Sequence, residues 1–160
     1  MLVYRIAKKK YKDDLSGNGA ALYGGRWNCP GFRVIYTSET IALAVLEFIT
    51  KAALKSNEIK NLYISYIEIE KGGSLKQLSA EQLSVEELTQ DWYRYPAPDA
   101  LKDIGTDWLV SGESLLLKVP AVSAPESFNI LINPLHPEFN KVRVLKSVPY
   151  LPDNRMTDLR

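Results

Sequence analysis

The sequence is short of the residues that build metal sites and disulfide frameworks. It has one cysteine, Cys29, and one histidine, His136. A single cysteine excludes an internal disulfide and fits a reducing compartment. A lone histidine between Pro134 and Pro137, with no HxxxH spacing, supplies no ligand cluster, so no metal site is expected. No apolar run approaches the roughly 20 residues that a membrane-spanning helix needs. The N-terminus turns basic at once, at Lys8, Lys9, Lys10 and Lys12, and shows no apolar stretch of signal-peptide length. A soluble, cytoplasmic protein is therefore expected. Neither sign of charge prevails: 20 Lys and Arg face 19 Asp and Glu, for a net charge of +1. That balance argues against a dedicated nucleic-acid binder.

What is present suits one folded domain. Of 160 residues, 46% are hydrophobic and 24% charged, an ordinary globular balance. A chain of this length buries roughly 70% of its unfolded surface, enough to fold without metals or disulfides. A single domain over residues 1–160 is expected, with the last ten residues frayed. The charge is uneven. Residues 1–60 carry ten Lys and Arg against five Asp and Glu, whereas residues 61–113 carry four against ten. The basic excess is either uneven surface charge or the wall of a cleft for a phosphate-bearing ligand.

The elements follow from hydrophobic spacing. Residues 2–6 and Arg33–Thr37 read as strands, and Asn61–Glu70 alternates with Leu62, Ile64 and Tyr66 on one side. Residues 13–31 hold Gly17, Gly19, Gly24, Gly25, Pro30 and Gly31, the mark of a long structured loop. Its glycines fit neither a dinucleotide fingerprint nor a P-loop. Ser38 is a candidate cap, with Glu39 in the first turn, for a helix running to about Lys55. That helix is apolar on every face but Glu47, which predicts burial. Ser79-x-x-Gln82 and Ser84-x-x-Glu87 are two capping boxes, and a helix starts near one of them. A helix over Asp99–Val110 and strands over Leu115–Val119, Phe128–Ile132 and Val142–Val148 complete an α+β order.

Two residues stand out chemically. Glu47 is a carboxylate on an apolar helix, costly to bury unless it is paired or faces a cavity. The plain account is an ion pair with Lys51, one turn on. Arg26 follows two glycines, so its fork can approach a phosphate or carboxylate. Its plain account is a surface arginine or one stacked on Trp27. Tyr36 lies mid-strand and reads first as a core aromatic, as do Trp92 and Trp108.

These positions fall inside a wider resemblance. Tyr4-Arg5, Gly24-Gly25-Arg26-Trp27-Asn28-x-Pro30-Gly31, Val34-Ile35-Tyr36-Thr37-Ser38 and Ala42-Leu43-Ala44-x-x-Glu47 resemble successive blocks of the RES domain family. Gly105-x-x-Trp108-Leu109, Ser114 to Pro120 and Asn129-x-Leu131-Ile132-Asn133-Pro134-x-His136-Pro137 continue the likeness. The resemblance implies a fold related to ADP-ribosyltransferase toxins: a single α+β domain with mixed or antiparallel sheets and flanking helices. It also implies a toxin of a bacterial toxin–antitoxin pair that attacks NAD at the nicotinamide–ribose bond. NAD is then the substrate, and no cofactor is needed. The implied partner is an antitoxin with an Xre-type helix-turn-helix domain, with which the toxin could form an oligomer.

By the same resemblance Arg26, Glu47 and Tyr36 are catalytic: Arg26 holds the pyrophosphate, Glu47 stabilises the ribosyl cation and Tyr36 stacks on the nicotinamide. Arg5, Trp27, Ala121, Ser123 and Asn133 are expected to bind substrate. One position departs from the family, which reads Val-Pro-Ser where this chain has Val119-Pro120-Ala121. Ser123 lies two residues on, about 6–7 Å away along a strand, and reaches the same place only after a local shift. Three accounts of the alanine stay open: natural divergence with Ser123 compensating, a weakened enzyme, or a deliberate inactivating change. Two other readings stay open as well. One is an inactive RES-fold module that only engages the antitoxin. The other is an unrelated α+β domain in which Glu47 simply pairs with Lys51.

Overall fold

The computed structural model describes residues 1–52, 60–85, 90–153 and 155. Seven strands are described: β1 (Leu2–Lys8), β2 (Ile35–Ser38), β3 (Leu62–Ile69), β4 (Leu75–Gln77), β5 (Leu116–Pro120), β6 (Phe128–Ile132) and β7 (Val142–Tyr150). They form one sheet in the order β4-β5-β6-β2-β1-β3-β7. Only β4 and β5 run parallel; every other pairing is antiparallel. Among the described residues four α-helices accompany the sheet: α1 (Asn18–Tyr23), α2 (Ile41–Ala52), α3 (Ala80–Val85) and α4 (Asp99–Ser111). The mixed α+β architecture expected from the sequence is the one observed.

Strand periodicity explains the layering. Leu62 and Ile64, two apart on β3, pack with Ile6 of β1 against Ala44 and Val45 of α2. Ile67 and Ile69, of the opposite parity, join Val3, Ile35, Leu115 and Ile132 in the central core. A third cluster sets Leu117, Val119 and Leu131 of β5 and β6 against Leu101 and Trp108 of α4 and Trp27 of the glycine-rich loop. The sheet is thus covered on both faces, which is why β3, β5 and β6 are rich in buried Leu and Ile.

The centre of the sheet is its weakest seam. β1 is aligned with β3 along its whole length, from Leu2 opposite Glu68 to Lys8 opposite Leu62. Between β1 and β2 only Tyr4 and Ser38 are aligned.

Several local expectations are corrected. The 13–31 segment is not all loop, because α1 lies within it. Strand β4 had no sequence signal, being three residues with exposed Leu75 and Gln77. The cap of α2 is Thr40, whose Oγ1 accepts the Leu43 N–H at 3.1 Å. Ser38 instead donates to Asn129 Oδ1 at 2.7 Å, and Glu39 Oε1 accepts the Phe128 N–H at 2.9 Å. Both residues tie α2 to β6. Nor is α2 buried all round: Leu43, Ala44 and Val45 are buried, but Ala42, Leu46, Thr50 and Lys51 are exposed. Of the two capping boxes, Ser79 and Gln82 form the reciprocal pair, at 2.9 and 3.1 Å, at the start of α3. Glu87 of the other box, the expected helix end at Lys55, and most of the frayed tail (154 and 156–160) lie outside the described residues.

Two features of this packing can be tested. A Cβ on Gly105 of α4 would run into the backbone carbonyl of Trp27. Helix propensity favours Gly105→Ala by about 1 kcal/mol, but overpacking against immobile backbone costs about 1–3 kcal/mol and wins. Chemical denaturation should show Gly105→Ala to be the less stable protein. Glu138 joins its own turn, Pro137–Lys141, to the segment before β4: its carboxylate accepts Lys141 Nζ at 2.6 Å, the Ser74 N–H at 3.0 Å and the Ser74 hydroxyl. These bonds, Lys141 foremost, hold its carboxyl down to about 2, against an ordinary 4.5. A depressed carboxyl stabilises the fold above its unfolded pKa, and that contribution fades as pH falls from 4.5 towards 2. Glu138→Gln should therefore flatten the fall of the urea midpoint across that window.

Candidate active site

Where β1 and β2 part, a cavity of about 540 Å³ opens beneath α2 and the glycine-rich loop. That volume suits a small-molecule or cofactor-sized ligand. Among the described residues its charged wall residues are Arg5 of β1, Asp14 of the loop, and Glu47 and Lys51 of α2. Tyr36 of β2 and Asn129 of β6 line it too.

Glu47 is half-buried at this wall. Its Oε1 accepts Ser123 Oγ at 2.6 Å and Asn129 Nδ2 at 2.9 Å. Both donors are neutral. Among the described residues no ion pair joins Glu47 to Lys51, so the plain ion-pair account does not hold. The Lys51 ammonium stands instead 5.0 Å from the centroid of the Tyr36 ring.

Ser123 reaches Glu47 because the chain leaves the sheet at Pro120. Ala121 is buried, and its N–H donates to the Ser127 carbonyl at 2.9 Å. The turn that follows supplies the local shift that an extended strand would deny. The hydroxyl that meets Glu47 thus comes from Ser123, two residues past the alanine.

Tyr36 is fixed through its hydroxyl. It donates to Asn28 Oδ1 at 2.8 Å and accepts the Trp27 N–H at 3.1 Å. Burial raises its pKa well above the ordinary phenol value, so it stays neutral. Asn28, fully buried, spends its amide on the carbonyls of Ala20 and Phe32, both at 3.0 Å, and Cys29 at 3.1 Å. One side chain therefore ties three points of the loop to the pocket tyrosine. Gly25 is obligatory beside it, since a Cβ there would lie 2.5 Å from the Tyr36 hydroxyl oxygen.

The arginines divide differently from expectation. Arg26 does not line the cavity: its Nη1 donates to the carbonyls of Trp92 and Arg94, the latter at 3.1 Å. Burial lowers its pKa, while Glu47 and Tyr36 pull the other way. Arg5 does line the cavity. Its Nη2 donates to the Tyr11 carbonyl at 2.9 Å, and its buried Nε has no partner. Burial lowers its pKa too, opposed by Asp14 and Asp13.

The remaining expected binders lie elsewhere. Trp27 is buried in the core against α4. Asn133 is buried, donating to the Leu109 carbonyl at 3.1 Å and accepting the Leu135 N–H at 3.0 Å. It lines a separate cavity of about 410 Å³ with His136. His136 Nδ1 accepts the Glu138 N–H at 3.1 Å, a turn-capping role. Among the described residues no group of three His, Cys, Asp or Glu is placed to hold a metal ion, and no helix is long and apolar enough to cross a membrane. Sequence reasoning missed Asn129 as a partner of Glu47 and weighed Lys51 only as an ion-pair candidate. Their shared wall arises from the β2–β6 register, Ser38 opposite Asn129, which leaves no trace in spacing.

The RES domain model matches residues 2–153. This chain belongs to the RES domain family. Among relatives of the RES chain is "Toxin Res" of Yersinia enterocolitica, 36% identical over 87% of this chain and 88% of that protein. "Prs ADP-ribosylating toxin" of a Sphingobium species is 39% identical over 90% of this chain and 87% of its own. A chain of the M. tuberculosis MbcT–MbcA toxin–antitoxin complex shares the fold, with a TM-score of 0.79, 20% identity, and coverage of 99% of this chain and 88% of that one.

Asn28 gives this site its sharpest structural test. Asn28→Ala strands buried carbonyls and the Tyr36 hydroxyl, at about 1–3 kcal/mol for each group left unsatisfied. The variant should melt earlier and be cleaved faster by protease between residues 17 and 33.

Proposed function

We propose that this RES domain chain is the toxin of a toxin–antitoxin pair, acts in the cytoplasm, and breaks NAD at the nicotinamide–ribose bond. The observation that carries this reading is Glu47: a carboxyl at the wall of a dinucleotide-sized cavity, held by Ser123 and Asn129 and not cancelled by Lys51. In glycosidic cleavage, positive charge develops on the ribose, and a fixed carboxylate beside it lowers the barrier. The two neutral donors orient Glu47 for that task without neutralising it. The cavity is also dipolar, with Arg5 and Lys51 against Asp14 and Glu47, as suits a ligand that joins a cationic ring to an anionic pyrophosphate.

In this reading Tyr36 shapes the nicotinamide side, and Arg5 takes over the pyrophosphate contact first expected of Arg26. Arg26 instead secures the 92–94 segment beside the site. Ser123 serves as the family's serine. NAD is consumed, and no cofactor is required. The names of the relatives support a toxin, and the fold shared with a chain of a toxin–antitoxin complex supports an antitoxin partner, for which an Xre-type protein is the class proposed. The inactive-module alternative rested on Ala121, and the bond from Ser123 to Glu47 weakens it.

Expression of the chain alone in bacteria should deplete intracellular NAD and arrest growth, and Glu47→Gln should abolish both effects. Ser123→Ala should slow NAD loss by roughly 5- to 150-fold, corresponding to the ~1–3 kcal/mol of one lost hydrogen bond. Ala121→Ser should leave the rate unchanged. An unaltered NAD pool with soluble protein present would sink the proposal.

A further inference from the structure

Lys51 lies one helical turn past Glu47, a spacing at which an acid and a lysine can pair. Here they do not. The Glu47 oxygen is occupied by Ser123 and Asn129, and the Lys51 ammonium rests over the Tyr36 ring, 5.0 Å from its centroid. The α2 helix therefore presents a carboxyl and an ammonium side by side to one cavity, each held by a partner other than its neighbour. Lys51 is exposed as a residue, but it lines a concave wall. There the surrounding protein still lowers its pKa, Arg26 adds to the lowering, and Glu47 opposes it.

We propose that Lys51 is a further catalytic residue of the bond-breaking step: its ammonium, over Tyr36, stabilises the electron pair that moves onto the departing nicotinamide while Glu47 stabilises the ribose left behind. This inference rests on the NAD reading above. The balance is simple. The ring nitrogen of bound NAD is formally cationic. When the bond from ribose C1′ to that nitrogen breaks, both electrons go to nitrogen, nicotinamide leaves neutral, and the positive charge passes to the ribose. A cation on the ring side and a carboxylate on the ribose side both favour that movement of charge. The same ammonium repels the pyridinium of intact NAD, so it contributes nothing to ground-state binding and acts on turnover. An anion-binding lysine would do the reverse.

The groups facing Lys51 make its titration readable. Glu47 lies on its own helix, Tyr36 on β2, and Arg26 on the glycine-rich loop, while Arg5 and Asp14 share the cavity. The Tyr36 hydroxyl, pushed up by burial, stays protonated where a lowered lysine loses its proton. Turnover should thus fall on the alkaline side, earlier than an ordinary lysine would cause.

The test is steady-state NAD cleavage by the purified full chain, as wild type, Lys51→Met and Lys51→Arg, from neutral to alkaline pH, with thermal melts as a folding control. Lys51→Met should lower kcat by about tenfold or more, with KM unchanged or reduced. It should also lose the alkaline limb, and Lys51→Arg, equally folded, should keep most of the turnover. If Lys51→Met raises KM and spares kcat, or alters neither, Lys51 is not catalytic, although the NAD reading stands. Failure of the wild type to cleave NAD at any pH overturns both.

Discussion

The site depends on one seam in the sheet. β1 and β2 are aligned only at Tyr4 and Ser38, and residues of both strands line the cavity. A fully paired β1–β2 ladder would close that space with backbone hydrogen bonds. The seam holds because one core cluster, with Val3 and Ile67 on one side and Ile35 and Ile132 on the other, packs across it. β1 is fully paired with β3, β2 is fully paired with β6, and separate hydrophobic clusters back the two halves. Ser38 and Glu39 then fasten the entry to α2 onto β6.

Within the opening, the arrangement of charge is set by competition for partners. Glu47 and Lys51 have the spacing of a helical ion pair, yet neutral donors from beyond β5 and on β6 take the carboxyl, and an aromatic face takes the ammonium. An exposed pair of this kind is worth only about 0.3–0.5 kcal/mol, whereas hydrogen bonds to a charged group are worth about 1.5–3 kcal/mol. The outcome follows those magnitudes. It leaves two unlike charges separated along one wall, which a closed pair would have cancelled.

The glycine-rich loop plays a supporting part. It lacks the spacing of a phosphate-binding loop, and its order comes from Asn28, Tyr36 and the absence of a Cβ at Gly25. Arg26, the loop's most conspicuous residue in sequence, faces backbone carbonyls at 92 and 94. The charged groups at the cavity wall come from regular elements and from Asp14.

The sequence by itself determined the longer elements, though not α1 or β4, and the residue worth asking about. Strand alternation at 62–69 and the apolar helix around Glu47 are local patterns, and local patterns survive in one dimension. An acid among Leu43, Ala44, Val45 and Phe48 was conspicuous for the same reason. Tertiary structure decided everything that depends on which atoms meet across the sheet. That Ser123 meets Glu47 rests on a turn after Pro120. That Asn129 faces Glu47 rests on the β2–β6 register, and that Arg5 and not Arg26 lines the cavity rests on a seam one residue pair wide. Spacing along a chain carries the period of a strand or helix, but not the register between strands, and here register places the chemistry.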